Sequence, residues 1–273
     1  MLSCRMADKP TTLGQAARNT SGPLSLKERF ERFMSSSDFT ESIDALTVND
    51  NIPGRRKADY LALRRSVIIE QKSIDRDVDA KVSAFLSDFI RQHGSLRAGD
   101  VTLASIIDAV VKLPPPNLFK RRLRAILTQR IDDYLAEADK QTRDTRLTFS
   151  IPTAVGVVVI LNEHAQLIEP DYFVDKAWDM LRKETTPGQL RYPENQIALL
   201  ISEAHRIATA DGTEMIPTET IFSEAGLANP AAVSFAEQLR LRWAEFNRAG
   251  SLEWIGPIRE VTAREPATRF KAI

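Results

Sequence analysis

The chain holds one cysteine, Cys4, in 273 residues. An intramolecular disulfide is therefore excluded, and so is a cysteine-built metal site; a reducing compartment fits this usage. Charge of one sign is not in excess: 37 Lys and Arg balance 37 Asp and Glu. A protein that coats nucleic acid through bulk charge would be strongly basic, so any polyanion must meet local basic patches. The longest apolar run, Ala154 to Leu161, is far too short to span a bilayer. The opening ten residues lack the apolar stretch of a secretory signal. A cytoplasmic protein without a membrane partner is the expectation. The phosphate-binding G-x-x-x-x-G-K-[ST] loop, the G-x-S-x-G elbow and C-x-x-C are all missing. His93, His164 and His205 are too scattered to read as metal ligands and are taken as structural or surface residues.

What remains is 43% hydrophobic and 27% charged, an ordinary globular composition long enough for one full core plus additions. Residues 1–22 read as a polar tail. Ser25 and Glu28 have capping-box spacing and open a helix over 26–35. Residues 36–57 read as loop. Two strand-like runs follow, Ala58 to Leu63 and Ser66 to Ser73. Helices are expected at 77–91, 102–113 and 118–140, then strands over Leu147 to Ile151 and Val155 to Leu161. The last is apolar almost throughout and should be covered on both faces. Pro170 opens a further helix. Beyond a boundary near residue 187 the chain reads as helices only, at 195–209, 218–225 and 230–248. The expected architecture is α/β: a small mixed sheet flanked by helices over 23–187, with an all-helical C-terminal extension over 188–273. That extension could bind a partner protein or mediate self-association. Its last two helices have the outline of a helix-turn-helix, though their spacing favours packing.

The chemistry concentrates in Asp59, Glu70 and Lys72. If the two strands pair as a hairpin turning at Arg64-Arg65, Leu63 faces Ser66 and Asp59 falls opposite Glu70. Side chains alternate along a strand, so Glu70 and Lys72 share that face while Gln71 points away. Arg-Arg is not a favoured two-residue turn, so a longer loop and another register stay open. Two opposed carboxylates repel, and a divalent cation bridging them would relieve the repulsion.

These residues resemble the PD-(D/E)XK nuclease superfamily, whose members share the restriction-endonuclease-like fold. Asp59 matches the aspartate of the first hairpin strand. Glu70-Gln71-Lys72 matches (D/E)-x-K at the end of the apolar strand Val67-Ile68-Ile69. Ala58 stands where the family's naming proline would be. The resemblance covers roughly residues 24–185 and leaves the C-terminal segment unexplained. It implies metal-dependent hydrolysis of a phosphodiester, with DNA the expected substrate. Asp59 and Glu70 would hold Mg²⁺ (or Mn²⁺), Lys72 would assist the attacking water, and a helix glutamate, Glu31 in preference to Glu28, would support the shell. Arg55, Arg56, Lys120, Arg121 and Arg122 are the candidate nucleic-acid contacts. The alternative is a catalytically inactive nuclease-like protein used for binding or assembly, since fold does not determine function.

Overall fold

A computed structural model of the chain describes residues 24–46, 55–74, 81–85, 87–88, 91, 116–166, 168–208 and 214–247. The expected helix at 102–113 and residues 77–80, 86, 89 and 90 of that at 77–91 lie outside the described residues; residues 81–85, 87–88 and 91 are helical. Among the described residues, no helix is long and apolar enough to cross a membrane.

Six strands form one mixed sheet in chain order: β1 (Thr40–Ser42), β2 (Tyr60–Ala62), β3 (Val67–Ser73), β4 (Val155–Asn162), β5 (Asn195–Ser202) and β6 (Thr218–Phe222). The pairs β3/β4 and β4/β5 are parallel, and the outer pairs are antiparallel. Parallel neighbours need a crossover over the sheet. The helix α2 (Pro116–Phe149) lies in the link from β3 to β4, and α3 (Pro170–Leu181) in the link from β4 to β5.

α1 (Leu26–Ser36) starts where the capping box predicts. The Glu28 amide donates to Ser25 Oγ at 3.2 Å, and Glu28 Oε2 accepts the Ser25 amide at 2.8 Å. Leu26, Phe30, Phe33 and Met34 bury its apolar stripe. Each such side chain contributes roughly 1.5–3 kcal/mol by leaving water. They meet Val67, Ile69, Val157 and Val159 on one sheet face, together with Phe235, Leu239 and Trp243 of α5 (Pro230–Phe246). On the other face Ile131 and Leu135 of α2 and Phe173 and Ala177 of α3 pack on Val158, Ile160, Ala198 and Leu200. β4 is buried at all eight positions, as its unbroken apolar run predicts.

The all-helical C-terminal extension is corrected. Residues 195–202 form β5, hydrogen-bonded to β4, and 218–222 form β6. Among the described residues there, the helical ones are a 3₁₀ turn at Glu203–His205, the one-turn α4 (Glu224–Leu227) and α5. The run Ile197 to Ile201 is apolar at consecutive positions, which carries no period and fits a doubly covered strand as well as a helix. The open edge of β4 decides the matter, because its backbone groups need partners. The sheet thus draws strands from both sides of residue 187. Residues 147–149, read as strand, instead continue α2, whose buried face runs on through Thr142 and Thr145 rather than aliphatic residues. The expected loop at 36–57 contains β1.

Candidate functional site

The hairpin β2–β3 carries the site. Its register pairs Tyr60 with Ile69, Leu61 with Ile68 and Ala62 with Val67 and ends there. The expected direct pairing of Asp59 with Glu70 is corrected: the Asp59 amide donates to the Ile69 carbonyl at 3.1 Å, one residue short of Glu70, so the strand is out of step at this point. The turn is the short one: the Ser66 amide donates to the Leu63 carbonyl at 3.3 Å. Leu63, Arg64 and Arg65 all take positive φ, at 47°, 56° and 66°. The disfavoured Arg-Arg pair is held there by Arg65, which binds Glu41 of β1 at 3.0 Å.

Glu70 is 2% exposed. Its Oε1 meets Lys72 Nζ at 2.9 Å, while its Oε2 is buried without a hydrogen-bond partner. Burial, then the nearby charge of Asp59, push its carboxyl up to about 7 against the opposing pull of Lys72 and Gln141. Asp59 is half-buried, and its Oδ2 accepts the Gln71 amide at 2.7 Å. Burial raises the Asp59 carboxyl too; the Gln71 amide and Lys72 oppose this, and Asp44 and Glu31 add to it.

Lys72 Nζ has three acceptors: Glu70 Oε1, then Glu137 Oε2 and Gln141 Oε1, both at 3.0 Å. Burial pulls its ammonium down, but the two glutamates outweigh it and the net shift is upward. Glu137 and Gln141 stand one turn apart on α2, so both reach the same point. Gln141 Nε2 also donates to the Lys57 carbonyl at 3.2 Å, and the Ala58 amide donates to Thr145 Oγ1 at 2.9 Å. α2 thereby fixes the strand that presents Asp59.

Glu31 sits on α1, which packs against the opposite sheet face, and pairs with Lys27 at 3.7 Å. Its charge is felt at Asp59 and Tyr60, but it is the smallest named influence on Asp59. Glu28 is committed to the cap. Arg55 and Arg56 lead into β2, and the Arg56 charge reaches Glu137. Arg122 is exposed on α2, 15 residues before Glu137, which is about 22 Å along the helix axis. Of Lys120 and Arg121 only the backbone, within α2, is described. These three begin in the helix's second turn, since α2 starts at Pro116. His205 bridges Ser202 Oγ at 2.7 Å and the Gln166 carbonyl at 2.9 Å, a structural role; His93 lies outside the described residues.

Glu137, Gln141, Asp44 and Thr145 escaped the sequence reading. The only signal for the first two is a polar pair at helical spacing beside the buried Leu135, Ala138 and Thr142.

The family resemblance implies a divalent ion. Among the described residues no group of three or more His, Cys, Asp or Glu side chains converges to hold one. The donor set still fits Mg²⁺, which needs only one or two carboxylates and completes its shell with water and substrate oxygen. The buried Glu70 Oε2, which has no hydrogen-bond partner among the described residues, is an oxygen that such an ion could take. No family model, no curated protein and no solved structure matches the chain.

Proposed function

We propose that this protein is a metal-dependent nuclease that hydrolyses phosphodiester bonds, with DNA as the substrate, on a restriction-endonuclease-like sheet. One observation carries the reading. The hairpin brings the Asp59 carboxylate onto the Gln71 amide, near enough for its charge to act on Glu70, and Glu70 is buried with an oxygen that has no hydrogen-bond partner among the described residues. Asp59 and Glu70 would hold Mg²⁺ or Mn²⁺. Such an ion, when bound, supplies Lewis acidity and a more acidic water. Lys72, its ammonium held over Glu70, neutralises charge that builds on the phosphate and orients the attacking water by hydrogen bonding. Glu31 supports the site through its field alone. Arg55 and Arg56, leading into β2, contact the nucleic-acid backbone. Arg122, with Lys120 and Arg121, is a more distant contact for a long duplex.

The test uses the full chain with labelled DNA and Mg²⁺ or Mn²⁺. Wild-type protein should cleave, and Asp59→Ala and Lys72→Ala should lose cleavage while keeping the wild-type circular dichroism spectrum. Full activity in well-purified Lys72→Ala protein defeats the reading. One observation favours the alternative of an inactive binding or assembly protein: all three Lys72 donors already have protein acceptors. Thermal melting separates the two, because a competent site is stabilised by added metal and an inactive scaffold is not.

A further inference from the structure

Lys72 is held from two sides of different character. Glu70 is 2% exposed, and the half-buried Gln141 also ties down the Lys57 carbonyl, so both are held in place by the fold. Glu137 is different. Its side chain is 48% exposed, against 14% for Lys72, and it reaches the ammonium from the surface of α2. Three cations act on this one carboxylate: Lys72 by hydrogen bond and charge, then Arg56 and Arg130 by charge. Arg130 lies two helical turns before Glu137 on the same face of α2. The acids Asp44 and Glu31 act instead on Asp59. The site is therefore polarised, with an acidic flank suited to a cation and a basic flank where the half-exposed Glu137 carboxylate meets Lys72; Asp144, which accepts the Arg56 amide at 3.4 Å, is a second acid beside Arg56.

We propose that Lys72, Arg56 and Arg130 form a phosphate subsite, and that the Glu137 carboxylate fills it in the free protein as a resident anion which substrate phosphate displaces. The inference deepens the nuclease reading by naming the substrate group that Lys72 meets, and it rests on that reading for the anion being a phosphodiester. A half-exposed ion pair is weak, so Glu137 is the acceptor that leaves at least cost. Gln141 and Glu70 keep the ammonium aimed while it does. The same displacement reconciles a saturated Lys72 with a role toward substrate.

The experiment measures binding of a short fluorescein-labelled DNA duplex in EDTA, where no cleavage occurs. Glu137→Gln keeps the side-chain shape and a hydrogen-bond acceptor for Lys72 but removes the competing charge. It should bind DNA severalfold tighter than wild type, on the order of fivefold for the loss of one weak pair. Adding Lys72→Ala should erase the gain, and inorganic phosphate should compete. Glu237→Gln, the same charge change on an exposed position of α5, should show no such gain. Unchanged affinity in Glu137→Gln, a gain that survives in the Lys72→Ala background, an equal gain in Glu237→Gln, or indifference to inorganic phosphate each overturns the subsite. Its failure is distinct from failure of the nuclease reading. If metal stabilises wild type but not Asp59→Ala while Glu137→Gln binds no tighter, only the subsite falls. If metal has no effect while Glu137→Gln gains affinity, the subsite stands and hydrolysis falls.

Discussion

The Thr145 hydroxyl accepts the Ala58 amide at 2.9 Å across 87 residues of sequence, and it fastens the start of β2 to α2 one residue before Asp59. One turn earlier Thr142 is equally buried, at 0% exposed, but its Oγ1 has no partner. The two threonines should answer the same substitution oppositely. Thr145→Val leaves a buried amide unsatisfied and should lose about 1–3 kcal/mol of stability. Thr142→Val removes an unpaired polar atom at nearly constant volume and should be neutral or stabilising. Urea denaturation midpoints measure both. Equal losses would mean that the Ala58 bond is energetically idle.

Glu70 makes stability depend on pH with a definite sign. Its carboxyl titrates near 7 when folded and near the ordinary 4.5 when unfolded. Below 4.5 both states hold the proton. Between 4.5 and about 7 the unfolded chain releases it first, so stability falls as pH rises, and the full loss is present above 7. Glu70→Gln mimics the protonated acid and keeps an acceptor for Lys72. In EDTA it should melt above wild type at pH 8, by up to roughly 2–3 kcal/mol, with the gap closing toward pH 4.5. A gap that ignores pH, or one of opposite sign, contradicts the assignment.

The hairpin was legible because each of its cues is local. Val67, Ile68 and Ile69 mark a doubly covered strand, alternation sets which residues share a face, and the turn lies within four residues. From those alone Asp59 could be set near Glu70, but not the exact register, because the Asp59 amide bonds the Ile69 carbonyl instead of continuing the ladder. The other half of the site was not legible. Glu137 lies 65 residues beyond Lys72, and only the packing of α2 on the sheet brings it to the ammonium. β5 was misread for the opposite reason. Its uniform apolar run satisfies any period, and the edge of β4 that claims it cannot be seen from within the segment.

The turn stores conformational strain. Arg64 is exposed, with φ at 56°, a region in which a side chain costs roughly 1–2 kcal/mol relative to glycine. Arg65, at φ 66°, recovers part of its own strain through Glu41. Arg64→Gly should therefore raise stability by about 1 kcal/mol. Glu41→Ala should lower it by up to about 1 kcal/mol, and less at high salt. Calorimetry in low and high salt checks both. A lower melting temperature for Arg64→Gly would show that its side chain makes a contact that outweighs the strain.

Two glycines separate crowding from backbone freedom. At Gly156, where β4 begins its pairing with β5, an added Cβ would lie 2.0 Å from the Glu194 carbonyl oxygen and 2.8 Å from Thr142 Cγ2. The chain there is pinned from both directions. Arg146 of α2 donates to the Ala154 carbonyl through Nε at 2.9 Å and pairs with the Glu194 carboxylate. Neither strand can retreat without breaking the ladder or that anchor, so Gly156→Ala should lose several kcal/mol, in the range of severe core substitutions. At Gly188 nothing lies within 4 Å of the added atom, but φ is +79°. Gly188→Ala should lose only about 1–2 kcal/mol, the strain of a left-handed side chain. Chemical denaturation of the two variants should place Gly156→Ala well below Gly188→Ala. Equal losses would mean that β4 and β5 can part by an ångström without penalty, and that the close approach at Gly156 does not hold the sheet in register.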